Sequence, residues 1–86
     1  MALLLLGQSL HALKRWDDAA KALKAFLDMS PNSRSADYVT LIYGEALAES
    51  GHPQEAIEVY EAGARKFSSS QFASWMRTRA KRLKGD

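Results

Sequence analysis

One pattern of small and large residues returns after 37 positions, and it constrains the fold more tightly than anything else in the chain. Shifted by that interval, Leu4 falls on Leu41, Gly7 on Gly44, Leu10 on Leu47, Ala19 on Ala56, Leu23 on Tyr60 and Ala25 on Ala62. The register continues past the second copy, with Ser33 on Ser70, Ala36 on Ala73 and Tyr38 on Trp75. The 86 residues therefore hold two full units and the start of a third. Self-similarity at such a period marks an array of stacked supersecondary units.

Within each unit the apolar residues recur at helical spacing. Leu3, Leu6, Leu10 and Leu13 mark a helix from about Ala2 to Leu13, and Lys14–Trp16 make a tight turn. A second helix, about Trp16 to Met29, carries Ala19, Ala20, Leu23, Phe26 and Leu27 on one face. Pro31 stops it, because proline lacks the N–H of the helical ladder and disfavours helix at Ser30. Ser33 is placed to cap a third helix over Arg34–Ser50, with Gly51 as its left-handed terminator. Pro53 then suits the first turn of a fourth helix running to about Lys66, with His52 before it as cap or turn residue. Ser70 caps a fifth helix over about 71–84, with Phe72, Trp75, Met76, Ala80 and Leu83 expected inward. The expected layout is one all-α domain, 1–86, a helix-turn-helix repeat solenoid: unit 1–32, unit 33–69 and a closing helix, 70–84.

Gly7 and Gly44 stand in mid-helix, where glycine costs about 1 kcal/mol against alanine. Close approach of the partner helix is the expected compensation, with Ala19 and Ala56 as the matching small residues at an interaxial distance of about 8–10 Å.

These residues resemble the tetratricopeptide repeat. Its pattern, W-x2-L-G-x2-Y, then A-x3-F, then P, is met by Leu3-x2-Leu6-Gly7-x2-Leu10, Ala19-x3-Leu23 and Pro31. The second copy reads Thr40-x2-Tyr43-Gly44-x2-Leu47 and Ala56-x3-Tyr60, with Ser68 in the proline position. The departures are the absent Trp at Leu3 and Thr40 and the absent Pro at Ser68. The period exceeds the usual 34 by three residues, which fall in "PNSRSADY" and are expected to lengthen the third helix by about one turn. In this the chain is similar to tetratricopeptide proteins of the bacterial cell envelope. That likeness implies a periplasmic setting; without it the cytoplasm is the default.

The resemblance implies a superhelix whose concave face is lined by the first helix of each unit and binds a peptide or partner helix. The groove positions would be Leu4, Gln8, His11 and Ala12, then Tyr38, Leu41, Ile42, Glu45 and Glu49, with Trp75 and Arg79 from the last helix. Members that grip a C-terminal carboxylate use Lys, Arg and Asn here. This chain instead offers apolar groups beside Glu45 and Glu49, so an apolar or mildly basic protein partner is expected. Leu5 and Leu13 are expected to lie uncovered on the leading helix, which favours self-association into a homo-oligomer.

The residues give no chemistry to set against this scaffold reading. There is no Cys, so neither a disulfide framework nor a thiolate metal site is available. His11 and His52 are the only histidines, and no acidic pair accompanies them at ligand spacing. Asp17, Asp18, Glu55 and Glu58 fall in or near first turns, where negative charge favours the helix dipole. No Gly-rich phosphate loop or Ser–His–Asp spacing occurs, so no enzyme and no cofactor are expected. The apolar run at Leu3–Leu6 is too short for a signal peptide and is read as helix; its abrupt start suggests a piece of a longer protein.

Net charge is +2, and Arg77, Arg79, Lys81, Arg82 and Lys84 concentrate it near the C-terminus over a mildly acidic body. Such a tail could bind nucleic acid or an anionic membrane. A terminal helix that keeps the end of an array soluble accounts for it better, so neither partner is expected.

Overall fold

The computed structural model describes residues 2–85. Five helices follow one another: α1 (Ala2–Ala12), α2 (Trp16–Met29), α3 (Ala36–Glu49), α4 (Pro53–Lys66) and α5 (Gln71–Leu83). No strand occurs among the described residues. Each helix packs on the next, while α1 meets α3 and α3 meets α5 across a shared side. The odd-numbered helices thus form one wall, with α2 and α4 behind it.

Turn chemistry sets the hairpins. The amide of Arg15 donates to Leu10 O at 2.9 Å, and that of His52 to Leu47 O at 2.8 Å. Both bonds close the same six-residue helix terminator, which needs a left-handed residue just before the donor. Gly51 fills that seat with φ 91°, and Lys14 fills the equivalent one with φ 61°. Pro53 opens α4 as the sequence implies. The Ser70 hydroxyl accepts from the Phe72 amide at 3.0 Å and caps α5.

Two expected caps differ. Residues 31–35 form turns, so α3 begins at Ala36, not Arg34. Ser33 Oγ accepts from the Ser35 amide at 3.1 Å and stabilises that turn without capping the helix. The extra inter-unit residues are therefore absorbed as turn. His52 occupies the cap position of α4, but its side chain makes no capping bond; the ring lies 3.6 Å from Glu55 and 3.9 Å from Asp17.

The glycines do admit close approach, though not to the alanines. A Cβ on Gly7 would lie 2.5 Å from Leu23 Cδ2, and one on Gly44 would lie 2.5 Å from Tyr60 Cε1. The large residue one turn beyond each alanine fills the notch. Ala19 and Ala56 are fully buried beside it. Gly63, which the repeat pattern does not single out, is a third notch: its Cβ would meet Met76 Sδ at 2.6 Å and Thr40 Cγ2 at 2.7 Å. There α3, α4 and α5 converge. Leu23, Tyr60, Met76 and Val39 are the largest fully enclosed side chains, and the core runs unbroken from α2 to α5.

The glycines also orient α3. Thr40 and Gly44 meet groups of α4, so the buried stripe Thr40, Leu41, Gly44 and Leu47 faces that helix. Val39, Ile42 and Ala46 form a second buried stripe, left for α2. Little of α3 remains open, which defines where a site can lie.

Candidate functional wall

The exposed side of α1, α3 and α5 carries two rows of side chains. The first is aromatic. Tyr38 on α3 and Phe72 on α5 stand with ring centroids 5.6 Å apart, and Phe72 meets Trp75 edge-on at 5.7 Å. Trp75 is 55% exposed, so it points outward and not into the core as the spacing implied. Such edge-to-face pairs hold rings in place by about 0.5–1.5 kcal/mol beyond burial. The row is anchored at its base: Ser70 Oγ donates to Asp37 Oδ2 at 2.6 Å and so ties the start of α5 to α3.

The second row is ionic. Glu45 sits between two cationic or polar neighbours. Its Oε1 lies 2.8 Å from His11 Nε2, and its Oε2 accepts from Arg79 Nη1 at 3.4 Å. His11 also meets the Trp16 ring edge-on at 5.0 Å. All three groups are partly exposed, which keeps the ion pairing modest in strength. Beyond them a shallow cleft of about 160 Å³ is lined by Glu45, Glu49, Tyr60, Arg79, Arg82 and Leu83. Burial pushes the Tyr60 hydroxyl up to about 12, against the opposing pull of Arg79. The phenol is thus neutral at any ordinary pH.

The positions expected to line a groove divide. Leu4, His11, Tyr38, Glu45 and Glu49 are exposed or half-buried, and so are Gln8 and Ala12. Leu41 and Ile42 are each 4% exposed and belong to the two core stripes, because α3 is packed by helices on both flanks. They cannot serve as groove anchors. Pro31 stands exposed in the turn, where its carbonyl accepts from Lys66 Nζ at 3.1 Å and it borders a cavity shared with Leu27, Tyr43 and Val59. Glu45 is flanked by Arg79 and His11, so Glu49 is the less encumbered of the two groove carboxylates. Phe72 is half-buried and packs against the core as its spacing implied, and its ring also joins the wall.

The basic tail does not form one surface. Arg79 and Arg82 turn toward α3 and the cleft, whereas Arg77 faces Arg65 and Glu61 on the α4 side. Lys84 is paired with Glu61, and Lys81 is exposed.

The wall offers shape, rings and paired charge. Among the described residues no group of three His, Asp or Glu could hold a metal ion. No described helix is long and apolar enough to cross a membrane.

No curated protein and no solved structure matched the chain. A family model did: residues 4–71 match the Tetratricopeptide repeat. That span takes in all three glycine notches, both Ala-x3-large signatures and the start of α5. Paired antiparallel helices, notched at the position where each pair must close, are what the match describes in sequence terms, and the chain belongs to the tetratricopeptide repeat family.

Proposed function

We propose that the α1–α3–α5 wall docks a segment of a partner protein, and that the chain acts as a non-catalytic interaction scaffold. Repeats of this family mediate protein–protein interaction. The observation that carries the reading is the row of Tyr38, Phe72 and Trp75. Packing does not require Trp75 to be solvent-facing at 55% exposure, and exposed aromatics held by neighbouring rings are the usual anchors of an interface. The incoming segment places an apolar side chain against these rings. Its polar flank meets Glu49 and the cleft beside Arg79 and Arg82, where a neutral or mildly basic group fits best.

A displayed library of random peptides tests this. Sequences selected by the native protein should share an apolar anchor, and Tyr38→Ala with Trp75→Ala should abolish their enrichment while the chain keeps its helical content and a cooperative melt. Equal enrichment on the variant would refute the wall as the docking surface. Selection of acidic C-terminal peptides would refute the charge preference.

A further inference from the structure

The aromatic row has a shape and a direction that narrow what the wall can take. Phe72 is half-buried, while Tyr38 at 37% and Trp75 at 55% exposure stand further out on either side of it. Their rings are inclined to that of Phe72 by 52° and 78°, so the row is a shallow slot with Phe72 as its floor. Each flanking residue carries a donor, the Tyr38 hydroxyl and the Trp75 indole N–H, and neither is taken by a hydrogen bond among the described residues. From the slot, the seam between α3 and α5 runs past the Glu45–Arg79 pair to the cleft beside Glu49 and Arg82. Tyr38 and Glu49 stand eleven residues apart on α3, or about 16 Å along the helix axis. Glu45 is held by His11 and Arg79, whereas Glu49 is exposed and makes no ion pair among the described residues.

We infer that the partner segment is proline-rich, lies along this seam as a polyproline II helix and carries a basic residue at the Glu49 end. The inference rests on the docking role of the wall and names the chemistry of its partner. An α-helical partner spends its backbone carbonyls on its own ladder and leaves the two ring donors to side chains alone. A β-strand partner finds no sheet edge to join among the described residues. A polyproline II segment has no internal hydrogen bonds, so its carbonyls are free for the Tyr38 hydroxyl, the Trp75 N–H and the Arg82 guanidinium. Its pyrrolidine rings are apolar and lose no rotamer freedom on seating between Tyr38 and Trp75. Rising about 3.1 Å per residue, it covers the distance to Glu49 in about five residues. Charge complementarity sets that far end. The unpaired Glu49 carboxylate takes a lysine or arginine of the segment, while Arg82 on the opposite rim meets a neutral carbonyl and needs no acid.

Fluorescence anisotropy of labelled, capped peptides reads the affinity. The first peptide is a run of prolines long enough to reach Glu49, with a lysine at each end so that either chain direction is served. The second keeps the lysines and replaces the prolines with alternating leucine and alanine. The proline peptide should bind the native chain more tightly by about tenfold or more, and Trp75→Leu, which keeps apolar bulk but loses the N–H, should weaken it by about tenfold. Glu49→Gln should weaken it by about two- to fivefold, and should leave a proline peptide with glutamine in place of lysine unaffected. Both positions are exposed, so both variants keep the native fold. Equal or tighter binding of the leucine–alanine peptide overturns the proline inference and leaves the docking role standing. Binding of the proline peptide that is indifferent to Trp75→Leu overturns the inference as well. So does failure of both peptides to bind the native chain, and the random library then decides separately whether the wall docks a segment.

Discussion

Replacing Gly44 with alanine sets two opposing effects against each other. In an open helix the change is favourable by about 1 kcal/mol, because alanine loses less backbone freedom on folding. Here the new methyl would sit 2.5, 2.8 and 2.9 Å from Cε1, Cδ1 and Cζ of Tyr60. Those atoms belong to a rigid ring that is almost wholly enclosed, so the ring must move as a unit or α3 and α4 must part. Overpacking of this kind costs about 1–3 kcal/mol. The net expectation is a loss of up to about 2 kcal/mol, or up to about 16 °C in melting temperature for a domain of this size. The decisive measurement is a double-mutant cycle with Tyr60→Val, which removes the ring atoms that the methyl would meet. Gly44→Ala should therefore lose most of its cost in that background. Thermal and urea denaturation of the four proteins give the coupling, expected at about 1 kcal/mol or more. A stabilised Gly44→Ala, or a coupling near zero, would refute the notch as the reason for glycine.

Three further outcomes follow from local geometry. Lys14→Gly should raise stability by about 1 kcal/mol, because Lys14 holds a left-handed conformation that Gly51 takes at no steric cost in the second hairpin; chemical denaturation checks it. Ser70→Ala should cost about 1–2 kcal/mol through loss of the α5 cap and of the bond to Asp37, while Ser33→Ala, which caps no helix, should cost only about a few tenths of that range in the same assay. Tyr60 ionises at about 12 when folded against 10.0 in its ordinary state; the unfolded chain therefore sheds the proton first, and this contribution is complete below pH 10 and lost as pH rises toward 12. The Tyr60 share is about 2–3 kcal/mol, and alkaline melts of Tyr60→Phe should show a correspondingly shallower decline.

Helix number, helix order and the bounds of α2 were legible in the sequence because each rests on a local signal. Pro31, Gly51, Pro53 and Ser70 act within one turn of themselves. The start of α3 was misplaced because Ser33 and Ser35 are chemically equivalent caps, and only the packing of Ala36 and Val39 decides between them. The wall was less legible for a geometric reason. Equivalent residues recur at 37, whereas His11 meets Glu45, and Glu45 meets Arg79, at a separation of 34. Neighbouring odd-numbered helices are offset by three residues, nearly one turn, relative to the repeat. Searching for complementary pairs at 34 would have found the ionic row and the Tyr38–Phe72 pair. Searching at 37 finds the Gly7 and Gly44 notches and aligns Tyr38 with Trp75, but it matches none of these contacting pairs.

The burial of Leu41 and Ile42 shows how narrow the open part of such a wall is. A helix flanked by α2 on one side and α4 on the other commits two stripes to the core, and each is two or three residues wide per turn pair. What remains is the line through Tyr38, Glu45 and Glu49, spaced at whole turns. On α5 the same line runs through Phe72, Trp75, Arg79 and Arg82, and on α1 through Leu4, Gln8 and His11. On the proposed docking role, recognition is confined to residues that packing does not specify, so the notches can be read without knowing the partner and the partner cannot be read from the notches. On that reading the aromatic and ionic rows carry the selectivity of the wall, and substitutions at its most exposed members, Trp75 and Glu49, should alter binding far more than they alter the melting of the stack.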